Sequence, residues 1–81
     1  MSVDQRELIR AAAQDGGWAI KELGQTYRNA PAPLWIITRD KHRAQVVFTA
    51  YGRLDRDMFL DDEKVLRNKQ QVLLAYLRQT P

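Results

Sequence analysis

His42 is the only histidine and Ser2 the only serine of this 81-residue chain, which contains no cysteine. A histidine acts as a general base only on a proton it can reach, and a hydroxyl nucleophile needs such a base beside it. His42 lies in the charged run Asp40-Lys41-His42-Arg43, Ser2 sits where a helix would be capped, and Thr26, Thr38, Thr49 and Thr80 have no base near them. The expectation is therefore an ordinary solvated turn histidine, no catalytic residue and a non-enzymatic protein. The acids Asp61-Asp62-Glu63 have the oxygen chemistry of a hard-cation ligand set. Acids at a helix start are, however, what capping and the macrodipole favour, so no metal is expected. No glycine-rich phosphate cradle of the GxxxxGK[ST] or GxGxxG kind occurs, so no nucleotide or other cofactor is expected.

The cations are the other chemistry-bearing set. The net charge of +3 divides into −1 over residues 1–27, +4 over 28–54, −4 over 55–63 and +4 over 64–81. Arg39, Lys41 and Arg43, with Arg28 and Arg53 if the fold brings them near, would present positive charge to phosphate at a hairpin tip. Nucleic-acid binding through these five residues is the alternative function. Lys64, Arg67 and Arg78 read as an ordinary solvent-facing set.

These residues must be positioned by few elements, because 81 residues build one core and form a single domain, residues 1–81. Ser2 and Gln5 are spaced as a capping box, Leu8, Ile9, Ala12 and Ala13 form one stripe, and Gly16-Gly17 stop the first helix. Residues 18–28 alternate as a strand if the phase slips near Gly24. A short helix with Ile20, Leu23 and Tyr27 on one face is the rival. Asn29-Ala30-Pro31-Ala32-Pro33 reads as a loop.

The strongest local pattern is a β-hairpin of Leu34–Arg39 and Ala44–Tyr51 around the loop 40–43, pairing Arg39 with Ala44, Ile37 with Val46 and Trp35 with Phe48. One face then carries Trp35, Ile37, Val46, Phe48 and Ala50, the core side. The other carries Leu34, Ile36, Thr38, Gln45, Val47, Thr49 and Tyr51, more apolar than solvent requires. Residues 54–60 either pin across the sheet or add a short fourth strand. Asp61 is expected to cap the last helix, with Val65, Leu66, Val72, Leu73, Tyr76 and Leu77 on its apolar face, Leu74 off it and Lys69 interrupting it.

The fold class expected is α+β, in the order α-β-β-β-α: a three-stranded antiparallel meander with two helices packed on one face. Leu34, Ile36, Val47 and Tyr51 mark a protein-binding face, so the leading function is a small protein-interaction module whose partner is another protein or a second copy. The N-terminus is charged within seven residues and no run of ten apolar residues occurs, so neither a signal peptide nor a membrane span fits and a cytoplasmic location is expected.

Two resemblances add to this. The segments GQTYR at 24–28, PLWIITR at 33–39 and VVFTAYGR at 46–53 resemble small accessory proteins of actinobacterial phages, which implies a non-enzymatic protein that binds a host component or regulates phage genes. The order α-β-β-β-α is similar to that of double-stranded-RNA-binding domains, which implies RNA contacts from the first helix, a strand-connecting loop and a lysine-rich start to the second helix. Where that family has its basic cluster this chain has Asp61-Asp62-Glu63 and then Lys64, so the similarity is one of element order.

Overall fold

Nine elements follow one another in a computed structural model that describes residues 5–54 and 58–80, the side chain of Tyr27 excepted. They are α1 (Gln5–Asp15), β1 (Ala19–Leu23), β2 (Thr26–Tyr27), β3 (Ala30–Pro31), β4 (Leu34–Arg39), β5 (His42–Val47), β6 (Met58–Leu60), β7 (Glu63–Val65) and α2 (Lys69–Gln79). The main sheet is antiparallel with the order β1-β4-β5-β6-β7, and β2 and β3 form a separate two-stranded ribbon. The class is α+β, as expected, but the main sheet has five strands where the hydrophobic pattern suggested three.

The first helix stops where the glycines place it. Trp18 N donates to Ala13 O at 2.8 Å and Gly17 N to Gln14 O at 3.1 Å, while Gly17 takes a φ of 76°. This left-handed glycine closure satisfies carbonyls the helix itself cannot. The capping box expected at Ser2 lies outside the described residues.

Residues 18–28 are strand, not helix, and contain no bulge. Leu23 faces Leu34 and Thr26 faces Pro31 in one unbroken register, so the ribbon is the far end of the β1–β4 hairpin. Its turn, Arg28-Asn29, has φ values of 53° and 64°, the paired positive angles of a type I′ turn. The expected loop at 29–33 is thereby corrected. Ala32 N donates across the hairpin to Gln25 O at 2.8 Å. Alternation then turns the nitrogens of Pro31 and Pro33 away from β1 and β2, where their missing hydrogens cost the ladder nothing.

The central hairpin is present, with a tighter turn. Arg39 faces His42 and Trp35 faces Val46, so the connection is Asp40-Lys41 alone, with Asp40 at φ 53°. The shift from the expected register is by two residues, which preserves which side chains share a face. Beyond Val47 the strand ends earlier than expected. Phe48 makes a single bridge to Leu54, and Thr49 starts a turn in which its Oγ1 accepts from Tyr51 N at 3.3 Å and Arg53 N at 3.2 Å. Ala50 and Tyr51 are therefore turn residues, exposed, and not members of a strand face. Residues 58–60 supply the further strand, β6, pairing with β5 through Ala44–Leu60 and Gln45–Phe59.

The largest correction concerns Asp61. It does not cap a helix: Asp61-Asp62, at φ 49° and 68°, is a two-residue turn joining β6 to β7. The second helix begins eight residues later, after Asn68, whose side chain makes no cap hydrogen bond. Of the apolar face expected for it, Val65 lies on β7, Leu66 is exposed before the helix starts, and Leu74 packs against the core instead.

Both helices lie on one face of the sheet, as expected. Ile9, Ala12 and Ala13 of α1 and Leu73 and Leu77 of α2 meet Trp35, Ile37, Ala44, Val46, Phe48 and Met58, with Trp18 at the edge of this core. Trp35 and Phe48 pack edge to face at 4.8 Å between ring centroids. The helices run in the same direction: Gln5 Nε2 donates to Gln70 Oε1 at their starts, and Trp18 Nε1 to Leu77 O at their ends.

Candidate interaction surface

Packing both helices on one side leaves the other side of the sheet, among the described residues, without a covering helix. Side chains alternate across a strand, so the ladder partners define the rungs of that open face. One rung is Leu23–Leu34–Val47, the next Lys21–Ile36–Gln45–Phe59–Lys64, and the third Ala19–Thr38–Arg43. Leu23, Leu34, Ile36, Gln45, Val47 and Phe59 are each half-buried, while Lys21, Arg43 and Lys64 are exposed. Leu23, Leu34 and Val47 adjoin on one rung with Ile36 next along β4, a floor in which Gln45 stands between Ile36 and Phe59, and the charged side chains on the described strands of this face are all cations. Glu22 and Glu63 point to the opposite side. Asp62, in the β6–β7 turn, stands at the margin, where it lines a shallow depression of about 240 Å³ with Arg43, Gln45 and Phe59.

Of the protein-binding residues expected from sequence, Leu34, Ile36 and Val47 sit together on this floor. Tyr51 does not join them as a strand residue: it stands 89% exposed on the turn that follows. Leu23 and Phe59, and the flanking Lys21 and Lys64, escaped the sequence reading because their place on the face depends on pairings between strands distant in the chain. The alternation Lys21-Glu22-Leu23 was the one signal available for β1.

The basic residues are not brought together. Arg28 is at the tip of the overhanging ribbon, Lys41 is in the β4–β5 turn at the other end of the sheet, Arg43 is on the open face, and Arg53 leads into Leu54 near the start of α2. Arg39 turns towards the helices. Its Nη1 donates to the carbonyl of Gly16 at 2.7 Å, its Nη2 donates to the carbonyl of Thr80, and its guanidinium lies 4.4 Å from the centroid of the Trp18 ring. One cation thus meets the negative ends of two helix dipoles and an aromatic face. This is a structural role where a phosphate contact was expected.

His42 is more constrained than a solvated turn residue. Its Nδ1 lies 3.2 Å from Asp61 Oδ2, and its ring packs at 6.4 Å from Trp18 and 6.2 Å from Tyr76. Asp61 Oδ1 accepts from Arg43 N at 3.0 Å and from the Tyr76 hydroxyl at 2.9 Å. These donors, the Arg43 amide foremost and then His42, hold the Asp61 carboxyl below its ordinary value. Burial, and then the hydrogen bond to Asp61, push the Tyr76 hydroxyl up to about 12. The cluster ties β5, the β6–β7 turn and α2 together. Among the described residues no group of three histidine, cysteine or acidic side chains is arranged to hold a metal ion. No described helix is long and apolar enough to cross a membrane.

No protein-family model, curated protein or solved structure matches the chain.

Proposed function

We propose that this protein is a small interaction module that seats a partner protein on the open face of its five-stranded sheet. The observation that carries this reading is the floor of Leu23, Leu34, Ile36, Val47 and Phe59, gathered from four strands on the side the helices leave uncovered. A two-layer domain ordinarily buries one sheet face, and a second apolar face set among polar edges is the form a protein interface takes. The resemblance to phage accessory proteins would make that partner a host component.

Nucleic-acid binding draws less support. Arg39 is spent on the helix ends, the other four cations are dispersed, and among the described side chains the strands of the main sheet bring one aromatic ring, Phe59, to the open face, where single-strand readers stack several bases.

Ile36→Asp and Val47→Glu test the proposal, since both residues are half-buried on the open side and neither supports the helices. Each variant should keep the wild-type thermal transition while losing the partner that wild type co-purifies with from nuclease-treated host extract. Undiminished recovery of the same partner by both folded variants would remove the open face from consideration.

A further inference from the structure

The charges flanking the floor narrow the kind of partner, on the reading that this face is a docking surface. Lys21 on β1 and Lys64 on β7 end a single rung that crosses all five strands through Ile36, Gln45 and Phe59. Four interstrand spacings put their backbones about 19 Å apart. Between them lies the apolar floor; beside it on the next rung stands a third cation, Arg43. An α-helix with its side chains is about 10–12 Å across. Laid along the strands, it would cover Leu34, Ile36, Val47 and Phe59 and leave a gap of about 4 Å on each side, within reach of a lysine stem.

From this geometry we infer that the open face takes an amphipathic helix whose apolar stripe is bordered on both sides by carboxylates. The stripe meets the floor, one acidic border meets Lys21 and the other meets Lys64, while Arg43 stands on the next rung of the central strand β5. A second copy of this chain fits less well, because both edges of the face are cationic. Aligning two such faces sets lysine against lysine across the interface. A nucleic acid would satisfy the cations but leave the aliphatic floor against phosphate and sugar.

The probe is a labelled helical peptide of about 18 residues, five turns, with a leucine stripe flanked by glutamates, compared with the same peptide carrying lysines in their place. Binding to the full chain is read by fluorescence anisotropy. The glutamate peptide should bind at least about tenfold more tightly, and its affinity should fall as salt rises from about 0.05 to 0.5 M. The double variant Lys21→Glu with Lys64→Glu should reverse the preference, a readout that loss of folding cannot mimic. Equal binding of both peptides, lost in Ile36→Asp, would overturn the acidic-helix inference while leaving the docking face in place. Binding of neither peptide would overturn the inference. So would a dimer in sedimentation broken by Ile36→Asp, or capture of an oligodeoxythymidine that competes with the glutamate peptide. If wild type captures a host protein and Ile36→Asp and Val47→Glu retain it, the docking face itself falls.

Discussion

The indole Nε1 of Trp18 donates to the carbonyl oxygen of Leu77 at 3.0 Å, across 59 residues of chain. This buried bond joins the exit of α1 to the last turn of α2, where Leu77 O has no partner within its own helix. Neighbouring carbonyls are met in the same way: Tyr76 O accepts from Thr80, and Thr80 O from Arg39.

Trp18→Phe keeps an aromatic ring but removes this donor. An unsatisfied buried carbonyl costs about 1–3 kcal/mol. In a domain of this size each kcal/mol lowers the melting temperature by about 4–8 °C, which a thermal scan followed by circular dichroism will show. A transition unchanged from wild type would mean that water replaces the indole at no cost.

Arg39→Lys separates geometry from charge. A lysine retains the positive charge near the helix ends but cannot span the Gly16 and Thr80 carbonyls with a planar fork. The expected loss is about 1–2 kcal/mol in urea unfolding. Retention on an immobilised oligonucleotide should not change, since the guanidinium is engaged with the protein. A variant of full stability and reduced retention would return Arg39 to the nucleic-acid contacts suggested by sequence.

Gly16 and Gly17 differ in what a methyl group would meet. At Gly17 nothing lies within 4 Å, so Gly17→Ala suffers only the left-handed backbone, about 1–2 kcal/mol. At Gly16 an added Cβ would fall 2.8 Å from the Trp18 ring. Gly16→Ala should therefore shift the tryptophan emission as well as lower stability, whereas Gly17→Ala should lower stability with the emission unchanged.

The Asp61 cluster predicts opposite pH effects at the two ends of the scale. The Asp61 carboxyl is held below its ordinary 3.8, so the unfolded chain binds the proton first as pH falls. The stability it contributes is present above pH 3.8 and lost as pH drops through the lowered folded value. Asp61→Asn should flatten that part of the acid limb. Tyr76 is raised from 10.0 to about 12, so its contribution is present below pH 10 and lost as pH rises towards 12. Tyr76→Phe should remove this alkaline limb in denaturant titrations at successive pH values.

The features visible in the sequence were those set by neighbours in the chain. Alternation over 34–48 placed Trp35, Ile37, Val46 and Phe48 in the core and Leu34, Ile36 and Val47 on the other side, and Gly16-Gly17 ended α1. The error at residues 61–68 has a chemical cause: aspartate is a good helix cap and also tolerates the positive φ of a tight turn, so Asp61-Asp62 is ambiguous until its strand partners are known. The prolines misled similarly, since proline marks a loop unless its nitrogen faces away from the ladder. Register and the fifth strand rest on pairings between β5, β6 and β7 that no local pattern encodes.

The β1–β4 hairpin runs on past the bond to its neighbour, Phe48 N to Pro33 O, and ends at Arg28-Asn29, with Thr26, Arg28, Asn29 and Ala30 exposed. A fluorophore or affinity tag spliced between Arg28 and Asn29 would therefore sit remote from the core, and the molecule carries a built-in handle for tethering that leaves both sides of its main sheet untouched.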